Sequence, residues 1–288
     1  MMRIKSPFAT VVLALLVAFS PAATQAQDQI STALESLDRR DQVLGWEAVG
    51  RIDMANAAFC TGTLIAPDLV LTAAHCLFDT RTKQPYDPAG MQFRAGLRDT
   101  KTIAVGRVRR AVPHPGYVPF TPVSTASIAH DIALLELAEP IPAGRAAPFA
   151  VAAPSAGGKI SVVSYARNRA DTLSWQRACN IKDRSATILA FDCDVDHGSS
   201  GAPVFDLSGN RAKIISIISA GHRDKDGAVS YGMQLPDLVA DLKAALRSGK
   251  GVVLARGDAP RAQIRRIGVG SDDKATTGAR FVKARTAP

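Results

Sequence analysis

From Trp46 onward the chain advances in short runs of Val, Ile and Leu separated by Gly, Pro, Asn and Asp: "WEAVGRI", "GTLIAPDLVLTAA", "TIAVGRVRRAVPH", "DIALLEL", "KISVVSYA", "AKIISIIS" and "SYGMQL". No other feature constrains the fold as strongly. Runs this short, bounded by turn formers, read as strands, and their steady succession predicts an all-β domain. At Glu139–Pro148 the segment "EPIPAGRAAP" carries three prolines and interrupts the rhythm, dividing the strands into two halves. One helix is expected after them. In "LPDLVADLKAALRSGK" the residues Leu235, Leu238, Val239, Leu242 and Leu246 recur at helical spacing, and Gly249 supplies the stop.

The flanks differ from this body. Residues 1–26 read as a secretory signal: Arg3 and Lys5, the apolar run "FATVVLALLVAF", then "AATQA" with small residues suited to cleavage after Ala26. The apolar run is short for a bilayer span, and no later segment could cross a membrane. Residues 27–45 are polar and form either a short helix or a propeptide. Residues 46–247 make the domain, with its halves divided near 139–148. Residues 248–288 mix Gly, Ala, Arg and isolated apolar residues without a sustained period and are expected to be a mobile tail.

Export places the chain in the periplasm or the medium, where cysteines form disulfides. The four cysteines allow three pairings. Cys60 with Cys76 and Cys179 with Cys193 are preferred because each closes a short local loop. The net charge of +9 invites a nucleic-acid reading, but the signal carries two cations and no acid. The stretch from Ser248 onward carries nine Lys or Arg against three Asp, which leaves the body near neutrality, about +1. Nucleic acid is therefore not an expected partner. The basic tail is the part suited to contact anionic surfaces.

The chemistry is sought in "DCDVDHGSSGAPVF", Asp192 to Phe205. A serine hydroxyl is a weak nucleophile at neutral pH and needs a base within hydrogen-bond reach, an acid to orient that base, and donors for the oxyanion. Gly198 and Gly201 bracket Ser199 and Ser200, freeing the backbone to turn and present N–H groups to one point. Of five histidines, His75 in "LVLTAAHC" is the one fixed beside a cysteine, as a base requires. Asp131 opens the apolar run "DIALLEL", and an imidazole partner would account for a carboxylate drawn inward there.

"CTGTLIAPDLVLTAAHC", "HDIALLEL" and "HGSSGAPVF" together resemble the histidine, aspartate and serine blocks of the chymotrypsin-like (trypsin-like) serine peptidases, in that family's order. The resemblance runs from about Trp46 to Arg247. It implies two antiparallel six-stranded β-barrels with the site between them and a C-terminal helix. It implies His75 as general base, Asp131 as its orienting acid, Ser200 as nucleophile, and the N–H groups of Gly198 and Ser200 as the oxyanion hole. Ser219 and Gly221 match the segment lining the substrate cleft. No cofactor or metal enters such a reaction, and the partners are protein or peptide substrates.

The sequence departs from the vertebrate digestive members at Ser199, where they carry an aspartate, and it lacks their disulfide beside the specificity pocket. On these points it resembles the bacterial branch that includes the glutamyl endopeptidases. Asp194, six residues before Ser200, aligns with the floor of the primary pocket, which implies a preference for Lys or Arg before the scissile bond; the alternative is that Asp194, lacking the flanking disulfide, turns away to cap a loop. Glutamate preference is disfavoured by Ile218 and Val195, where that branch would place a histidine and a hydroxyl. An esterase of the α/β-hydrolase type is excluded by Ala202 in its motif and by the absence of strand–helix alternation. A metal site from Cys60, His75 and Cys76 fails on spacing. The rival from another class is a catalytically weak, peptidase-like binding module of the cell envelope, held there by the basic tail.

Overall fold

The computed structural model describes residues 32–55, 58–155, 159–225 and 227–256; the expected signal and the tail beyond Arg256 lie outside them. The first half contains β1 (Leu34–Ser36), β2 (Val49–Met54), β3 (Ala58–Ala66), β4 (Leu69–Thr72), the short arm β5 (Phe78–Asp79) and β6 (Gln84–Pro85), β7 (Met91–Ala95), β8 (Ala104–Pro113), α1 (Thr125–Ala129) and β9 (Ala133–Leu137). The second contains β10 (Ile160–Ala166), β11 (Arg169–Cys179), β12 (Ile181–Arg184), β13 (Ile188–Phe191), β14 (Pro203–Asp206), β15 (Lys213–Ile217), β16 (Ala220–Asp224) and β17 (Gly227–Met233), followed by α2 (Pro236–Ser248) and β18 (Val253–Leu254).

The first half closes into a six-stranded antiparallel barrel in the order β8, β7, β2, β3, β4, β9, with β9 pairing back to β8. Its strands follow from residue pattern. In β8 the residues Ala104, Gly106 and Val108 are buried while Val105, Arg107 and Arg109 face water, a period of two with one wet face. β9, "ALLEL", is paired on both edges and buried along its whole length. Its one acid, Glu136, is matched by the guanidinium groups of Arg109 and Arg110, which offsets the cost of burying a carboxylate.

The second half is built of two sheets, β1-β11-β10-β14-β15 and β12-β13-β17-β16. They enclose a core that includes Val162, Leu189, Phe191, Val204 and Ile215, and Ser219 N–H donates across to Tyr231 O at 2.9 Å. The disulfide Cys179–Cys193 ties them, and Cys60–Cys76 ties the first half. Trp46, Phe149, Trp175 and Phe205 pack ring against ring where the halves meet. The helix expected near the C-terminus is α2, ending at Gly249 in a left-handed cap.

Residues at both flanks take part in the fold. The segment 27–45 does not simply flank the domain: β1 pairs with β11, and Leu37 and Val43 are fully buried. Residues after Ser248 pack as well. β8 runs past the end of β7, and β18 fills the edge left open, with Val253 opposite Ala111 and Ala255 N–H donating to Arg109 O. An unfilled edge would leave backbone groups unpaired, which is why these residues pack.

Candidate active site

His75 sits in a single 3₁₀ turn, Ala74–Leu77, directly after β4. The turn is fixed on both sides: Ala73 and Ala74 are fully buried, and Cys76 is bridged to Cys60 on β3. Asp131 follows α1, whose start is secured by a capping box between Ser124 and Ser127. Its buried carboxylate accepts from the His75 backbone N–H at 2.8 Å and faces His75 Nδ1 at 2.7 Å. A carboxylate only accepts, so Nδ1 carries the proton and Nε2 is left with its lone pair. Burial pulls the His75 pKa down, but the charge and hydrogen bond of Asp131 outweigh it, and the imidazole titrates above its ordinary value.

Ser219 donates its hydroxyl proton to Asp131 Oδ2 at 2.6 Å while also lining the cleft. Sequence reasoning assigned Ser219 to the cleft alone; its contact with the acid is added by the structure.

Ser200 lies in the turn that leads into β14. Ser199 N–H donates to Asp196 O and Ala202 N–H to Ser199 O, folding the chain back on itself. Gly198 and Gly201 take φ of +99° and +77°, values that disfavour any side chain. A Cβ would also stand 2.3 Å from Phe59 at Gly198 and 2.3 Å from Thr72 Oγ1 at Gly201. Among the described residues, neither the Gly198 N–H nor the Ser200 N–H finds an acceptor. His75, Ser200, Asp194, Ser219 and Gly221 line one cleft of about 590 Å³. No hydrogen bond joins Ser200 to His75 across it among the described residues. At Gly221 a side chain would strike Val195 at 2.6 Å, so glycine keeps that wall open.

Asp194 lines the cleft but is neither buried nor unopposed. Its side chain is 40% exposed, and Arg223 of β16 donates to it at 2.5 Å. Arg223 was not singled out from sequence, because the reach of a long side chain from another strand leaves no local pattern. A second hollow of about 270 Å³ adjoins His75, with Phe78, Tyr117, Phe120 and Val123 in its wall. Cys60, His75 and Cys76 crowd within 4.8 Å, yet the two sulfurs are bonded to each other and offer no thiolate to a metal.

Comparisons with known proteins bear on the family. The sequence model of the trypsin-like peptidase domain matches residues 60–212. Serine protease 23 of Mus musculus is 31% identical over 57% of this chain and 48% of its own length. A glutamyl endopeptidase of Bacillus licheniformis is 26% identical over 53% of this chain and 46% of its own. The chain thus spans about half the length of the curated relatives it matches. A solved Glu endopeptidase in complex with MPD superposes with a TM-score of 0.59 at 18% identity, covering 74% of this chain and 96% of that one, a likeness of fold. With the domain model matching more than half of its length, the chain belongs to the trypsin-like, or chymotrypsin-like, family of serine peptidases.

Proposed function

We propose that the protein is an exported serine endopeptidase that hydrolyses peptide bonds through an acyl-enzyme on Ser200. The observation that carries this reading is the clamp of Asp131 on His75, through both the backbone N–H and Nδ1, which leaves Nε2 as the basic atom in the cleft that Ser200 shares. Ser200 Oγ attacks the scissile carbonyl carbon as its proton passes to His75 Nε2. The carbonyl oxygen takes up negative charge between the unpartnered N–H groups of Gly198 and Ser200. The imidazolium returns the proton to the leaving amine, and a water molecule, activated by the same imidazole, releases the acid product and frees Ser200.

The disulfides and the expected signal support export to the periplasm or the medium. Among the described residues no helix is long and apolar enough to cross a membrane. Before the scissile bond, Lys or Arg is accepted through Asp194 only by displacing Arg223, so the preference is weaker than an unpaired buried carboxylate would impose. The deciding experiment is fluorophosphonate labelling followed by mapping of the modified peptide, alongside cleavage of matched peptides ending in Arg, Glu and Phe. Label on Ser200 with peptide hydrolysis is expected. A folded chain that binds peptide but is neither labelled nor active refutes the reading in favour of a binding module.

A further inference from the structure

We propose that Arg169 is a positioning residue for the oxyanion site, its guanidinium bracing from behind the turn that presents the N–H groups of Gly198 and Ser200. The proposal rests on the reading of Ser200 as nucleophile. A turn that aims two N–H groups into a cleft needs its inward-facing groups held. The carbonyls are: Thr61 Oγ1 donates to Gly198 O at 2.8 Å, Arg167 N–H to His197 O at 2.7 Å, and Thr61 N–H to Ser200 O at 2.9 Å. Between them the side chain of Ser199 points into the body, fully buried and without charge.

Arg169 supplies the charge. It opens β11 across the hairpin from β10, in register with Ala166, so its side chain lies along the end of β10. Nη1 donates to Ser164 O at 2.6 Å, and Nη2 to Ser164 Oγ at 3.1 Å and, at the 3.5 Å limit, to Ser199 Oγ. Ser199 Oγ spends its own proton on Tyr165 O at 3.2 Å and accepts from Asp196 N–H at 3.4 Å. One rigid fork thus joins the last residues of β10 to the turn. Burial pulls the Arg169 pKa down, and the carboxylates of Asp194 and Asp196 oppose that pull, so the cation is retained where water is scarce. Without it, Ser164 O loses its guanidinium donor, and the carboxylates of Asp194, already paired with Arg223, and Asp196 lose a nearby cation. The turn then relaxes, and small misplacements of catalytic groups cost about 10²-fold in rate.

The test measures steady-state kinetics and the rate of fluorophosphonate labelling for the exported chain carrying Arg169→Met or Arg169→Lys. Arg169→Met is expected to lower kcat by about 10²-fold with KM changed less than about 3-fold, and to slow labelling by the same factor, because phosphonylation uses the same two N–H groups. Arg169→Lys, keeping a cation on a shorter reach, is expected to recover about tenfold of that loss. A purely structural role predicts lower thermal stability with kcat and labelling intact in the folded fraction. Folded Arg169→Met with kcat and labelling near wild type overturns the proposal, as does a loss confined to KM. If Arg169→Met does not fold, Ser199→Ala decides: about a tenfold fall in kcat and labelling at constant KM supports bracing through Ser199, and wild-type rates overturn it. A wild-type chain that is neither labelled nor active overturns the Ser200 reading and this proposal with it, whereas an active wild type beside an unimpaired Arg169→Met overturns this proposal alone.

Discussion

Replacing Cys60 and Cys76 together by alanine separates what holds the first half together from what holds the imidazole in place. The bridge closes a sequence separation of 16 residues. Loop-closure entropy for a ring of that size is worth about 3 kcal/mol. Both residues are buried, at 5% and 2% exposure, so each lost sulfur adds about 1 kcal/mol in packing. The total, about 5 kcal/mol, corresponds to a fall in Tm of about 10–20 °C for a body of roughly 200 residues. Turnover responds differently, since Asp131 grips His75 at two atoms and the preceding alanines are buried. At 20 °C the double variant is expected to cleave peptide within about 3-fold of wild type. Calorimetry and a peptide assay on the same preparation test both halves of the argument. A Tm change under about 3 °C refutes the loop-entropy reasoning. A 100-fold loss of turnover at undiminished Tm would show that the bridge, and not the carboxylate, places the imidazole.

Ser200→Ala is expected to abolish labelling and lower turnover by about 10⁴ to 10⁶, and Ser199→Ala by only about tenfold; the reverse order in kinetic assays would make Ser199 the nucleophile. Catalysis needs neutral His75, whose pKa is raised, so kcat/KM is expected to fall on acidification through a point above the ordinary imidazole value of about 6.5. Asp131→Asn should move that limb to lower pH while reducing the rate, and a wild-type limb below pH ~6 contradicts the assignment. Arg223→Ala frees the Asp194 carboxylate and is expected to raise selectivity for Arg over Phe before the scissile bond by about tenfold, with Asp194→Ser removing it; matched peptides read both. A chain ending at Arg247 loses β18 and the buried Ala255, and its Tm is expected to drop by about 5 °C, for about 2 kcal/mol of lost pairing and burial. One ending at Arg256 should melt with the full chain.

What the sequence discloses and what it withholds divide along the length of the interactions. His75, Asp131 and Ser200, the residues proposed to act, stand out in the sequence because each lies in a local block whose glycines, alanines or neighbouring cysteine shape the backbone within a few residues. The disulfides are legible for the same reason, each closing a loop of fewer than 20 residues. β1 and β18 are not. Each is two or three residues long, and its partner strand lies more than 100 residues away, so neither period nor turn chemistry marks it. The roles of Arg169 and Arg223 are hidden differently, since long flexible side chains are aimed by the tertiary fold and by the carboxylates they meet. The same holds for Asp194: its position in the motif is visible, but its pairing with Arg223 depends on where β16 runs.

The ends of the described chain are strapped crosswise. β1, from the beginning, adds a strand to a sheet of the second half, while β18, from the end, pairs on the stretch of β8 that β7 leaves open in the first. Neither half is therefore a finished unit of contiguous sequence. A chain made from its N-terminus must wait for residue 179 before β1 has its full partner, and for residue 254 before β8 has its last. Until then each half keeps an open strand edge, the kind of surface that invites wrong pairing and proteolytic attack. Once both straps are seated, opening either half also breaks its pairing with a strand from the other end of the chain.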